Sequence, residues 1–312
     1  MSIKCLLVGL GNIGFKYDSN LEDKTVHLTH ARTIGSLENF ELVYGIDRDL
    51  ELCEDFKNKL GMDTFSKISD LPSDTQIDLV IIATPTNTHL EIFREVATLN
   101  PRVILLEKPA SSSSVEIQIM KDIALEKGIE TFVNYQRNYH SVFRDISKQL
   151  DDSTFPGPYT LVGWFNQGLL HTGSHMLALW QLLFPKAFMD IELEDLVKGD
   201  LRIHKGSPSM TLVPVDHFEG SFFSFEMLGS RNQLRYDSHL GLVKISNISQ
   251  SKLYSAEKTL QAPNSEILLH EESCLWQVYF EIQKFLIGEP CYHSSLDDSI
   301  QMLEIIKAIE GS

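Results

Sequence analysis

The chain has 312 residues, enough for two domains of ordinary size, and its 43% hydrophobic content is what filling two cores requires. Its 43 acidic against 27 basic residues give a formal net charge of −16, which repels polyphosphate backbones at long range and argues against nucleic acid as a partner, while a small anionic ligand stays possible. The longest apolar runs, 3–10 and 79–83, are far shorter than the roughly 18 residues a membrane helix needs, and Met1 leads directly toward a strand rather than a signal peptide, so a cytoplasmic protein with no membrane partner is expected.

From residue 3 to about 135, short β-rich runs alternate with helical patterns, the signature of an α/β fold in which a parallel sheet is wrapped by helices. The runs 3–8, 42–46, 79–83, 103–106 and 131–133 are nearly continuous in apolar residues, as they must be when both sheet faces are covered. The segments DRDLELCEDFKNKLG, THLEIFREVATLN and SSVEIQIMKDIALEKG read as the intervening helices, stopped by Gly61, Pro101 and Gly128.

The first run feeds Gly9, Leu10, Gly11, Asn12, Ile13 and Gly14, a GxGxxG turn. Its first glycine allows a tight turn, its second admits a pyrophosphate to the backbone, and its third lets helix and strand pack closely, which together point to a dinucleotide. Asp47, at the end of the next strand, suits the ribose hydroxyls of NAD and would repel the extra phosphate of NADP. Arg48 beside it works against that preference, and a helix N-cap is the alternative role for Asp47. Gly14 and Asp47 are 33 residues apart, whereas about 20 are usual. The excess falls in 15–29, read as an insertion on the cofactor rim that is either a lid or substrate contact, with Tyr17, Asp18 and His27 as its polar candidates, or a solvated loop.

Two more strands end in unusual loops, one running through Thr84, Pro85, Asn87 and His89, the other through Glu107, Lys108 and Pro109. In an open α/β sheet ligands bind beyond the carboxyl ends of the strands, so these loops, the glycine turn and Asp47 are expected to converge. A lysine at the end of an apolar strand is the sharpest feature, because partial burial lowers an ammonium's pKa toward the range of a proton shuttle. A plain Glu107–Lys108 pair at the sheet edge is the alternative.

Beyond the turn FPGP at 155–158, alternating segments YTLVGWF, DLRIHKG, MTLVPVD, GSFFSFEML and LVKISNIS predict a second, α+β domain on a largely antiparallel sheet, with one helix GSHMLALWQLLF and two more closing the chain. The boundary is expected near 136/137, giving domains 1–136 and 137–312. His171 and His175 sit near the start of that first helix, which a Thr172 hydroxyl is expected to cap, and are candidates for a second proton-handling group. Neither they nor the scattered Cys5, Cys53, Cys274 and Cys291 have the spacing of a metal site, and none is expected. Arg202, Lys205, Arg231 and Arg235 are candidates for a substrate phosphate or carboxylate, or simply solvated charges.

The ordered set GLGNIG, GID, ATPTNTH, LEKP and GLLHTGSH, followed by a β-rich second half, resembles the glucose-fructose oxidoreductase/inositol dehydrogenase (Gfo/Idh/MocA) family along the whole chain. The resemblance implies an N-terminal Rossmann domain binding a nicotinamide dinucleotide, which Asp47 favours as NAD over NADP, and a C-terminal domain whose open sheet serves substrate binding and assembly into a homodimer or homotetramer. It further implies hydride transfer between nicotinamide and a hydroxyl of a sugar, cyclitol or sugar nucleotide. Lys108 matches the family's catalytic lysine, with a cis bond to Pro109, His175 matches its catalytic histidine, and Arg137 a cofactor- or substrate-contacting arginine. His171 stands where the family often has an aspartate, which keeps open a non-catalytic NAD-binding sensor. Redox-assisted glycoside cleavage with NAD recycled in place is a further alternative.

Overall fold

The computed structural model describes residues 2–23, 25–73, 75–151, 154–189, 201–202, 207–251, 253, 257–269 and 274–311. Two compact units are formed, one from Met1–Tyr139 with Glu272–Ile300, the other from His140–Glu271 with Gln301–Ser312. A single cut near 136 therefore does not describe them, because a late segment of the chain returns to the first unit.

The first unit is built on six parallel strands, β1 (Ile3–Val8), β2 (Phe40–Ile46), β3 (Thr64–Phe65), β4 (Leu79–Ile82), β5 (Val103–Leu106) and β6 (Glu130–Val133). Their order is β3-β2-β1-β4-β5-β6, a doubly wound sheet whose direction of winding switches at β1. Every residue of β4 and β5 is buried, which is why these runs lack the polar alternation of a half-exposed strand. The helices are α1 (His30–Gly35), α2 (Leu50–Leu60), α3 (His89–Ala97), α4 (Ser114–Lys127) and the short α5 (Gln136–Tyr139). Asp49 caps α2 and Ser113 caps α4, and Gly61 and Gly128 end them in the left-handed conformation, at φ 71° and 66°.

The second unit starts with α6 (Ser141–Asp151) and carries α7 (Ser174–Leu183) and α8 (Pro185–Met189) with the strands β7 (Thr160–Phe165), β8 (Leu201–Arg202), β9 (Ser209–Pro214), β10 (Phe223–Leu228), β11 (Asn232–Asp237), β12 (Leu242–Gln250), β13 (Lys258–Leu260) and β14 (Ser265–Leu268). The sheet runs β13-β12-β11-β10-β7-β9-β8, with β14 also on β12, and is antiparallel except for the β7/β9 pair. Strand β11 has only Leu234 and Tyr236 facing its core, and its pairing on both sides holds it in place.

Two helices close the chain, α9 (Cys274–Leu286) and α10 (Leu296–Gly311). Helix α9 buries Val278, Tyr279, Ile282 and Leu286 in the same core as β1, β4 and β5, so its apolar stripe, i, i+1, i+4 and i+8, completes one face of the parallel sheet. No described helix is long and apolar enough to cross a membrane. The cysteines are free thiols, and burial pushes the Cys5 thiol far up.

Candidate active site

Strand register sets the geometry of the site. Val8 pairs with Ile46 and with Ile82, Ile82 with Leu106, and Leu106 with Val133, so the next residues of each strand form one row along the carboxyl edge: Asp47, Gly9, Ala83, Glu107 and Asn134. The row is tied by backbone hydrogen bonds, Gly9 N to Ile46 O at 2.8 Å, Ala83 N to Val8 O at 2.7 Å, Glu107 N to Ile82 O and Asn134 N to Leu106 O, both at 2.9 Å. Neighbouring strands stand about 4.8 Å apart, so Lys108 leaves the edge about 10 Å from the glycine turn.

The three glycines of the turn differ in what surrounds them. Gly9 adopts φ 99°, and a Cβ there would lie 2.6 Å from the Ala83 backbone, while a Cβ on Gly14 would lie 2.1 Å from the Gly9 carbonyl oxygen. Gly11 has nothing within 4 Å of where its Cβ would stand, so its backbone faces open space. That is the arrangement a dinucleotide phosphate needs, with two positions closed by packing and one open to a ligand.

The open side of Gly11 lines a cleft of about 1030 Å³ between the glycine turn, the start of α2, the 66–75 segment and α3. Gly9, Asp47, Arg48, Thr84 and Pro85 line it as well, and Ser66, Lys67, Ser69 and Thr75 close it from a segment that the sequence reading did not single out. The signal there is a run of small polar residues after a short strand. Asn12 is exposed beside the turn, Ile13 packs on the core, Asn87 is exposed on its loop, and none of the three lines the cleft.

Asp47 does not cap α2, a task done by Asp49. Its carboxylate accepts from Leu10 N at 2.8 Å and from Asp49 N at 3.0 Å, which fixes the glycine turn against the end of β2. Each oxygen keeps a lone pair for a ligand hydroxyl. His89 is buried with both ring nitrogens against carbonyl oxygens, Ala110 at 3.0 Å and Thr84 at 2.9 Å, so it joins two loops and has no nitrogen left for a cofactor.

Beyond β5 the edge changes character. Glu107 is 8% exposed, and its carboxylate accepts from His30 Nε2 at 2.9 Å, from Asn134 Nδ2 and, at 3.3 Å, from the Lys108 amide. Burial raises its pKa, but the bonds from His30 and Asn134 and the Lys108 charge outweigh it and hold the carboxyl below its ordinary range. Glu107 thus points into the protein rather than at a cofactor, and His30, Asn134 and Tyr279 around it were not picked out from sequence. Lys108 is half-buried. Burial lowers its pKa, the Glu107 carboxylate opposes that, and Arg137 on α5 adds to it, leaving the ammonium below the usual lysine value. The Lys108–Pro109 bond is cis, as the resemblance implied.

The insertion is anchored at Phe15, Asp18 and Thr29, while most of its other described residues are exposed. A single π-helical turn, Asn12–Lys16, follows Gly11, and Phe15 packs edge-on to Phe56 with ring centroids 5.0 Å apart. Asp18 is 1% exposed and accepts from Leu28 N at 2.7 Å, Thr29 N at 2.9 Å and the Thr29 hydroxyl at 2.7 Å, with Arg32 Nε 3.6 Å away. Arg32 in turn donates to the carbonyls of Asp18, Leu21, Asp23 and Val26. Asp18 is therefore the knot of the loop and is not open to substrate, which corrects its sequence reading. Tyr17 remains exposed, and the His27 ring meets Trp276 at 5.5 Å. Replacing Asp18 by Ala strips a buried partner from Arg32 and three donors, and unfolding in urea should show a loss of about 3 kcal/mol.

In the second unit, a π-helical turn (Leu169–Gly173) runs into α7. His171 is exposed, whereas His175 is 8% exposed with its ring 6.2 Å from Phe223. No side chain caps α7, and the Thr172 hydroxyl turns to Gln167 at 3.5 Å instead, against the expected cap. Arg235 lies 3.7 Å from Glu226, and Arg231 is exposed. Lys205 and the Arg202 side chain lie outside the described residues. Among the described residues no cluster of metal-ligating side chains occurs.

A parallel sheet of this order, with its glycine turn at the switch strand and a cleft at the carboxyl edge, defines a Rossmann-type dinucleotide fold. Residues 3–135 match the GFO_IDH_MocA profile, an oxidoreductase family with an NAD-binding Rossmann fold. A scyllo-inositol 2-dehydrogenase (NAD(+)) of Bacillus subtilis (strain 168) is 26% identical over 163 residues, 52% of this chain and 44% of that protein, so the match spans less than half of the relative's length. An NAD binding oxidoreductase from Klebsiella pneumoniae superimposes with a TM-score of 0.75 at 14% identity, covering 100% of this chain and 97% of that one. A 3-ketoreductase from Actinomadura kijaniata, solved with TDP-benzene and NADP, does so with a TM-score of 0.72 at 15% identity, covering 100% and 98%. At such identities these two likenesses speak to the fold alone.

Proposed function

We propose that the chain is an NAD-dependent oxidoreductase that transfers a hydride between nicotinamide and a secondary hydroxyl or carbonyl of a sugar, cyclitol or sugar nucleotide. The observation that carries this reading is Lys108, half-buried at the carboxyl edge two strands beyond an open glycine, with its ammonium held below the ordinary lysine value. The similarity to an inositol dehydrogenase supports a cyclitol-like substrate.

The bound nicotinamide would take up or supply the hydride. When hydride leaves a carbinol carbon a carbonyl develops, so the hydroxyl proton must depart at about the same time. Lys108 holds that oxygen and polarises it, and Arg137 keeps the lysine's charge labile. His175 retains the general-base role that the resemblance gives it. His171, an exposed imidazole where an aspartate is usual, brings no fixed negative charge to that step. Gly9, Gly11 and Asp47 bind the diphosphate and the adenosine ribose, with Asp47 favouring NAD. Assembly into a homodimer or homotetramer belongs to the same proposal.

The test is NADH titration by fluorescence, followed by nicotinamide absorbance against a panel of cyclitols, sugars and sugar nucleotides. Binding with turnover of a panel member is expected. Binding without turnover of any of them would favour the sensor reading, and absence of binding would sink both.

A further inference from the structure

Behind Lys108 lies a polar cluster that hydride transfer does not itself require. His30 opens α1 directly after the insertion, Glu107 follows β5, Asn134 follows β6 and Tyr279 projects from α9, and all of them are buried, His30 and Tyr279 completely. The Tyr279 hydroxyl lies 2.8 Å from His30 Nδ1, and His30 Nε2 lies 2.9 Å from Glu107 Oε1. Burial keeps the Tyr279 phenol protonated, so it donates to Nδ1 and fixes the proton of the imidazole on Nε2, facing the carboxylate. Asn134 donates to the same carboxylate, and Glu107 Oε2 accepts from the Lys108 amide. Among the described residues, Lys108 on its own loop and Arg137 from α5 bring charge to this cluster, and the neutral thiol of Cys5 from β1 lies near Tyr279.

A carboxylate this deep is costly unless its hydrogen bonds are filled, and a hydrophobic or amide side chain would serve packing equally well. What only a carboxylate supplies is negative charge beside Lys108. We propose that His30 and Tyr279 are positioning residues for Lys108, acting through Glu107: they orient a buried anion whose field keeps the lysine cationic enough to bind the substrate oxygen. The claim rests on the catalytic reading of Lys108 given above. It also gives the late start of α1 a physical meaning, because the anchored insertion delivers His30 to this carboxylate.

The test reads Lys108 directly and needs no substrate. Acylation of Lys108 with acetic anhydride, followed by peptide mass spectrometry across a pH series, gives the midpoint at which its amine becomes reactive. Glu107→Gln removes the anion, so the midpoint should move to lower pH by about one unit, a tenfold change in proton affinity. His30→Leu removes the donor that offsets burial of Glu107, so the carboxyl takes up a proton, its negative charge is lost and the midpoint should move the same way. His30→Gln, whose amide can stand in for Nε2–H, should restore it. Thermal unfolding of each variant separates loss of fold from loss of tuning, and if His30→Leu does not fold, Glu107→Gln and His30→Gln decide alone. A midpoint unchanged in folded Glu107→Gln, or unchanged in folded His30→Leu, overturns the proposal. Failure of the dehydrogenase reading would show instead as absent turnover with the midpoint shifts intact.

Discussion

Lys108→Met is expected to lower turnover by about 10³-fold while leaving NADH affinity within a factor of about two. The glycine turn lies two strands away from Lys108 along the edge and Asp47 three, so the change should not reach the residues proposed to hold the dinucleotide. Methionine fills nearly the same volume and removes only the ammonium. Glu107 does not depend on that ammonium alone, since His30 and Asn134 satisfy its carboxylate, and the fold should survive. Lys108→Arg should not rescue activity, because a planar guanidinium fork cannot set a single N–H donor where the compact ammonium of Lys108 stands. Fluorescence titration and steady-state rates on a substrate found in the panel check both halves. Equal loss of binding and turnover would make Lys108 a cofactor ligand and move the chemistry elsewhere.

What could be read from the sequence follows what local physics controls. The parallel strands announced themselves because both their faces are buried, and the ends of α2 and α4 because Gly61 and Gly128 adopt positive φ. Strand β11 was missed. Its segment NQLRYD has only Leu234 and Tyr236 as apolar members, too few to announce a strand by alternation, although it pairs with its immediate chain neighbours β10 and β12. The return of α9 to the first unit was equally hidden, since its amphipathic stripe says that it packs but not on what. At the site, the convergence of strand ends was legible from the α/β alternation, whereas the parts played by Glu107, His89 and Asp18 were not. Each is a polar residue whose task is set by partners distant in sequence, His30 77 residues from Glu107 and Ala110 21 residues from His89.

Gly11 and Gly14, in the same turn, should separate folding from binding. Gly14→Ala puts a methyl 2.1 Å from the Gly9 carbonyl oxygen, and both sides of that clash are backbone in a turn already tied by Gly9 N to Ile46 O, so nothing can yield cheaply. A loss of about 3 kcal/mol in urea unfolding is expected. A Cβ on Gly11 meets no atom within 4 Å and its φ of −73° is negative, so Gly11→Val should cost far less stability than Gly14→Ala. The same isopropyl group would stand in the cleft where the diphosphate must approach the backbone, and NADH affinity should fall about 100-fold, roughly 2.7 kcal/mol. Normal NADH binding by a stable Gly11→Val protein would mean that the dinucleotide lies elsewhere. The Lys108 geometry would then lose the cofactor it is argued to serve.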